Sequence, residues 1–272
     1  MGPRQRYHEE QQLSEGDLAA EVASVPWYHT LELPGGIVTP GEYDARRTAR
    51  RLPLPESFAG RRCLDVGMHD GFWAFELERR GAAEVIGIDL DDPRQFDWSE
   101  PTPQISQAAF DERQDRLRPF AIAKRALGSQ VERRIVSVYD LDQEAIGLFD
   151  FAFIGTLLLH LRDPIRALTA IRNVLRPGGE LLVNDVITLR DTLLRRGAAL
   201  AHISLVPGAP FWWIPNLAGL RMYVRKAGFE VAASAGPLFV DNGRGGHVPR
   251  EHGLVLRWLG MPHGWVLGRV SR

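Results

Sequence analysis

The sequence predicts an α/β fold: a doubly wound, mostly parallel seven-stranded sheet of the Rossmann-like kind, with an N-terminal arm and inserted helical lid segments. Two observations carry this. Between Cys63 and Ile187, short apolar runs alternate with helical patterns at the spacing of βα units, the order that builds a parallel sheet. Runs such as Phe149–Ile154 are nearly continuously apolar, as strands covered on both faces are. Residues 1–52 form the arm. Residues 53–272 form the domain, with insertions at about 91–118 and 188–210.

The most informative stretch, residues 62–90, reads RCLDVGMHDGFWAFELERRGAAEVIGIDL. Cys63–Val66 is a strand, Gly67–Gly71 a turn, and Phe72–Arg80 a helix that stops at Gly81. Glu84–Ile88 is a second strand tipped by Asp89. Gly67 and Gly71 let the backbone bend and approach a ligand closely. The following helix presents free N–H groups to an anion. Asp65 can accept from an ammonium group, and Asp89, 24 positions later, from both hydroxyls of a ribose. The loop is Gly-x-x-x-Gly and lacks the third glycine of a dinucleotide site. A ligand with an amino group, a carboxylate and one ribose fits better, which points to S-adenosylmethionine (SAM).

Bulk properties narrow the class. The 272 residues are 44% hydrophobic and 25% charged, with net charge −1, which suits a globular protein without a basic field for polyanions. Lys124 and Lys226 are the only lysines and Cys63 the only cysteine, so a reducing, cytoplasmic setting is expected. No apolar run approaches 18 residues, and no membrane association is expected.

Along the chain, Leu13–Val25 is a short helix. The WYHTLELPGGIVTPG stretch from Trp27 reads as a strand-like arm with turns, placed either to close over the ligand or to pack on the core. Arg46, Arg47, Arg50 and Arg51 share a helical segment, either a solvated face or a phosphate-binding one. Within the first insertion Gln107–Leu117 is helical. Ala121–Gly128 is a crossover helix, and Arg134–Val138 a third strand. Tyr139 and Asp140 follow, placed to pack on an adenine and accept from its amino group. Phe149–Ile154 is the fourth strand, with Ile154 and Gly155 at its ligand end. Asp163-Pro164 caps and starts a helix, ended by Arg176-Pro177-Gly178-Gly179. Glu180–Ile187 is the fifth strand. The second insertion begins as a helix, Asp191–Ala201. Leu217–Ala227 is a helix, Phe229–Ala233 begins another strand, and Gly253–Gly260 makes the last one.

The combination of LDVGMHDG, EVIGIDL, VYDL, FIGTLLLHLRDP, LRPGGELLV and WWIPNLAGLRMYVRKAGF resembles a class I SAM-dependent methyltransferase. The arm and the HLRDP turn resemble, more narrowly, relatives of the tRNA wobble-uridine carboxymethyl-transfer enzymes. The resemblance implies that Asp65, Gly67 and Gly71 hold the methionine end of SAM, Asp89 and Leu90 the ribose side, and Asp140 the adenine. His69 stands where many such loops have glycine. The carboxymethyl-transfer enzymes hold an extra carboxylate with a tyrosine just before the histidine of the HL-type turn, and here that residue is Leu159. They also use a lysine ahead of the first strand, and this chain has none before Lys124. Ordinary methyl transfer to a small molecule, as an O-methylation in secondary metabolism, is therefore expected, and tRNA is not expected as a partner. The alternatives are a tRNA wobble-uridine methyltransferase, a nicotinamide-dependent oxidoreductase and a non-catalytic SAM-binding protein.

Methyl transfer needs alignment of nucleophile and methyl group, and a base where the nucleophile carries a proton. His160, at the rim after the fourth strand, is the leading base candidate, with His69 and His29 behind it. Trp27 and Tyr28 from the arm, with Trp212, Trp213 and Asn216, are candidates for the acceptor pocket, the tryptophans equally for core packing. No metal-ligand spacing occurs.

Overall fold

The computed structural model describes residues 15–101, 103–115, 117–203, 210–246 and 260–271. The arm opens with α1 (Glu15–Ala23) and continues through three two-residue strands, β1 (Glu32–Leu33), β2 (Ile37–Val38) and β3 (Tyr43–Asp44), to α2 (Arg46–Arg51). The nucleotide unit follows as β4 (Arg62–Val66), α3 (Phe72–Arg79) and β5 (Glu84–Asp89). Then come α4 (Gln107–Asp115), α5 (Arg118–Leu127), β6 (Glu132–Ile135), α6 (Gln143–Ile146), β7 (Phe149–Gly155), α7 (Pro164–Asn173) and β8 (Leu175–Val186). The chain ends with α8 (Leu189–Leu194), β9 (Ala201–Ile203), β10 (Trp213–Pro215), α9 (Leu217–Lys226), β11 (Glu230–Asn242) and β12 (Met261–Arg269).

The main sheet has eight strands in the order β3-β11-β12-β8-β7-β4-β5-β6. Strands β6, β5, β4, β7 and β8 are parallel. Strand β12 lies antiparallel to both β8 and β11, so it is the one reversed strand of the inner seven. The eighth strand corrects the expected seven. Tyr43–Asp44 of the arm pairs with Asp241–Asn242 and covers part of an edge that would otherwise present unpaired backbone groups.

Each face of the sheet carries a core. Phe72, Trp73, Phe75 and Leu77 of α3, Phe120 of α5 and Trp27 of the arm pack with Cys63, Phe151 and Phe153 on one face. Ala167, Leu168 and Ile171 of α7 and Leu220 and Val224 of α9 pack with Leu64, Ile86, Ile154 and Val183 on the other. Local chemistry sets the helix ends: the Asp163 carboxylate accepts from Arg166 N at 2.9 Å with Pro164 at the first helical position, a standard cap.

Three boundaries differ from expectation. The third strand is Glu132–Ile135, because a charged edge strand hides the apolar signal that locates buried ones; Val138–Asp140 is a short 3-10 turn. The second insertion is helical only to Leu194. Asn216 Nδ2 donates to the Ala198 carbonyl at 2.8 Å and its Oδ1 accepts from Leu200 N at 3.1 Å. These bonds draw the chain out of the helix into β9, which pairs with β10. The closing strand is Met261–Arg269; residues 253–259, expected as the last strand, lie outside the described residues. No described helix is long and apolar enough to cross a membrane.

Candidate active site

Strand order reverses between β4 and β7, where crossovers leave in opposite directions and ligands of such sheets bind. The glycine loop sits there. Gly67 has φ +77°, and its N–H donates to the Ile88 carbonyl at 2.9 Å. A Cβ on it would stand 3.0 Å from Leu157. Gly71 has φ +90° and begins α3; a Cβ there would strike Phe75 and Phe120 at 2.8 Å. Gly67 thus keeps the ligand side open, and Gly71 lets the helix seat on the core. His69, at φ +49°, donates its backbone N–H to Asp89 Oδ2 at 2.8 Å, and Leu90 N donates to Asp89 Oδ1 at 2.7 Å. Both carboxylate oxygens are thereby fixed at the carboxyl end of β5.

A cavity of about 270 Å³ opens over these strand ends, near the lower end of the range for small-ligand sites. Gly67, His69 and Asp89 form one wall, and Val136, Ser137, Val138 and Tyr139 another. Gly155, Thr156, Leu157, His160 and Leu161 follow β7, and Tyr28 and His29 reach in from the arm. Gln95, Phe96 and Asp97 close it from the first insertion, and Pro210 from the second. Among the described residues, no lysine or arginine lines it.

Asp65 lies below the loop and is 1% exposed. Its Oδ2 has no hydrogen-bond partner. Burial, with the charges of Asp89 and Asp70 adding, pushes its carboxyl up to about 8. A buried acceptor left unpaired is costly, and an incoming ammonium group would satisfy it.

Tyr28 stacks on His69 with ring centroids 4.4 Å apart. His160 Nδ1 contacts the Pro210 carbonyl at 2.7 Å; a carbonyl only accepts, so Nδ1 carries the proton and Nε2 the lone pair. Burial lowers the His160 pKa, with the Pro210 carbonyl opposing.

Several candidates do not line the cavity, Asp65 and Gly71 among them. Trp27 is 2% exposed and donates its indole N–H to the Val22 carbonyl, so it anchors the arm. Asn216 is fully buried and caps α9 through Gly219 N at 2.8 Å. Trp212 Nε1 donates to the Asp97 carbonyl at 2.6 Å and Trp213 Nε1 to the Arg162 carbonyl at 3.0 Å, tying the lid segments together behind the wall. Ile154 is a core residue. Asp140 is exposed and off the cavity, because the 3-10 turn presents Val138 and Tyr139 to it instead.

Residues outside the expected set also build the site. Asp97 Oδ2 accepts from Tyr139 Oη at 2.6 Å and from Arg162 N at 2.8 Å. Asp70, fully buried, accepts from the backbone of Tyr28 and His29 and meets His29 Nδ1 at 2.5 Å. Thr156 holds φ +52°, a strained value for a β-branched residue. Its hydroxyl meets His263 Nε2 at 3.1 Å. Burial pushes His263 down to about 4, so it is neutral and takes the hydroxyl proton's hydrogen bond, its own Nδ1–H resting on the Met261 carbonyl. Asp70 lies inside the glycine motif, a signal that sequence reasoning could have used; Asp97 sits in the first insertion with no motif around it.

A cavity at the switch point of a parallel sheet with β12 reversed beside β8, closed by an arm and two insertions, has the form of a Rossmann-like methyltransferase. A family model described as a methyltransferase domain matches residues 41–234. The chain belongs to that family, and its cofactor is SAM. Among curated relatives, a tRNA U34 carboxymethyltransferase of Citrifermentans bemidjiense is 27% identical over 77% of this chain and 55% of its own length. One from Pseudomonas paraeruginosa is 31% identical over 64% of this chain and 46% of its own. The chain therefore spans about half the length of these relatives. Among solved structures, the N-terminal domain of EvdMO1, crystallised with SAH and D-fucose, superposes with TM-score 0.59 at 18% identity, covering 96% of this chain and 99% of that one.

Proposed function

We propose that this enzyme transfers an unmodified methyl group to a hydroxyl of a small-molecule acceptor. When bound, SAM supplies a sulfonium methyl group. The orphaned Asp65 Oδ2 suits the cofactor's ammonium, the fixed Asp89 carboxylate its ribose, and Tyr139 with Val138 its adenine face. The observation that carries the choice of methyl over carboxymethyl is the cavity wall. With no lysine or arginine among the described lining residues, a carboxylate added to the cofactor would be desolvated without a cation. Leu159, at the position where the resemblance expects a tyrosine, is buried and off the wall. The curated relatives are named for tRNA chemistry, but they are about twice as long as the matched region. The net charge of −1 gives this chain little of the field that tRNA binding uses.

Calorimetric titration with SAM, carboxy-SAM and NAD tests the reading. SAM is expected to bind at least about tenfold more tightly than carboxy-SAM, a difference of roughly 1.4 kcal/mol, and NAD not at all. Filter binding of tRNA at low and moderate salt is expected to show no salt-dependent retention. Preference for carboxy-SAM together with salt-sensitive tRNA binding would move the enzyme to the wobble-uridine reading.

A further inference from the structure

Three histidines line the cavity; the His69 ring is covered by the stacked Tyr28, and the partners of the other two, His160 and His29, differ in kind. His160 rests its Nδ1–H on a neutral carbonyl, that of Pro210. His29 meets a buried carboxylate, Asp70, through Nδ1 at 2.5 Å. The backbone N–H groups of Tyr28 and His29 both donate to Asp70 Oδ2, and against the opposing effect of burial the contacts with His29 hold the carboxyl below its usual range. An ionised carboxylate only accepts. In neutral His29, Nδ1 therefore carries the proton and Nε2 the lone pair.

The ring is also locked in place. It stacks on Phe72 at 5.3 Å and meets Tyr28 edge-on at 4.7 Å, while His29 N donates to Asp70 Oδ2 at 2.6 Å. His29 lines the cavity, and its Nε2 takes part in no hydrogen bond among the described residues. Its ionisable neighbours are Tyr28 on its own arm, Tyr43 paired beside it on β3, and Asp70 and His69 on the glycine loop. Asp70 is the one buried carboxylate in contact with it.

We infer that His29 is the general base of methyl transfer and that Asp70 is its positioning residue. This rests on the proposed transfer to a hydroxyl. In the step, His29 Nε2 takes the acceptor's O–H proton as the oxygen forms a bond to the sulfonium methyl carbon. The carbon–sulfur bond breaks with its electron pair going to sulfur, giving neutral S-adenosylhomocysteine (SAH) and the methyl ether. Asp70 stabilises the imidazolium until it returns the proton to water, the role a buried carboxylate plays behind a histidine base. His160 lacks such a partner among the described residues and would hold the imidazolium less well.

Two measurements test this. The first needs no acceptor: histidine 15N NMR of the wild-type protein, with His29→Gln assigning the signal. The expected spectrum of the neutral His29 ring carries its proton at Nδ1, and an Nε2–H tautomer would overturn the inference. The second follows SAH formation from SAM with a library of phenols and sugars. His29→Gln is expected to lower kcat about 100-fold, within the range for loss of a general base, while SAH affinity stays within about threefold. Asp70→Asn is expected to lower kcat with little change in the acceptor KM and to turn the His29 15N signal into a mixture of Nδ1–H and Nε2–H tautomers, and His160→Gln to cost under about tenfold. If the wild type turns over and His29→Gln matches it, the base assignment fails while methyl transfer stands. If the wild type binds neither SAM nor SAH, the methyltransferase reading itself fails. If no acceptor in the library turns over, the NMR result decides.

Discussion

Burial raises the Asp65 carboxyl to about 8, against about 3.9 for an unfolded aspartate. Between those values the folded state keeps a proton that the unfolded chain has released, so this group's contribution to stability falls as pH rises toward 8. Asp185, pushed up to about 7 by burial despite the N–H groups of Leu158, Val186 and Leu157, has the same sign. Asp65→Asn isolates the first of these. Without cofactor, the stability of the variant relative to wild type should be higher at pH 8 than at pH 5 by about 3–4 kcal/mol, or roughly 6 °C in Tm. SAH affinity should fall about 100-fold as a charge-assisted bond to the ammonium is lost. Differential scanning calorimetry at the two pH values, with SAH titration alongside, checks both; a pH-independent difference would mean that Asp65 is not the titrating group. The strand positions of Asp65 and Asp89 were legible in the sequence because each has a fixed place relative to the glycine loop. Asp70 stands in the same loop, where its position was a usable signal, but its partner was not legible, since His29 lies 41 positions away in the arm and no local pattern encodes such a contact.

At the level of elements, the cavity is closed by a knot between segments far apart in sequence. Asp97 of the first insertion accepts from Tyr139 Oη and Arg162 N, and its carbonyl accepts from Trp212. The Arg162 guanidinium lies over the Trp212 ring at 4.7 Å and donates to the Trp98 carbonyl at 3.2 Å. Asp97 and Pro210 both line the cavity, so we predict that cofactor exchange parts these bonds. Asp97→Ala should speed SAH dissociation about tenfold, equivalent to roughly 1.4 kcal/mol, with little change in Tm because Asp97 is partly exposed. Stopped-flow tryptophan fluorescence reads the rate; an unchanged rate would remove the knot as a gate. The sequence marked both insertions, and it offered Trp212 and Trp213 equally for the acceptor pocket and for core packing. It could not show that their indole N–H groups donate to the backbone carbonyls of Asp97 and Arg162, because an aromatic next to a proline turn reads the same in either role. The buried strands β4, β5, β7 and β8 were legible as apolar runs, and the charged edge strand β6 was misplaced for want of one.

Across the whole molecule, the arm is bound into the domain at three places. Trp27 is buried with Phe72, Phe75 and Phe120 in one core. The backbone of Tyr28 and His29 is clasped by Asp70 of the glycine loop. Tyr43–Asp44 pairs with the sheet edge at Asp241–Asn242. Removing a buried tryptophan costs about 3–5 kcal/mol, a large share of the roughly 5–15 kcal/mol by which a domain is stable. Trp27→Ala should therefore lower the urea midpoint of the entire protein, and not merely free the arm. If arm and sheet form one cooperative unit, far-UV circular dichroism and tryptophan fluorescence should give coincident transitions in both wild type and variant. Residues 53–272 expressed alone should show no cooperative transition, since the truncation uncovers Phe72 and Phe75, leaves the Asp70 carboxylate without the N–H groups that hold it ionised, and reopens the edge of β11. A two-step unfolding curve, or a stable 53–272 fragment that still binds SAH, would instead make the arm an independent lid, and the His29–Asp70 pair would then form only on closure.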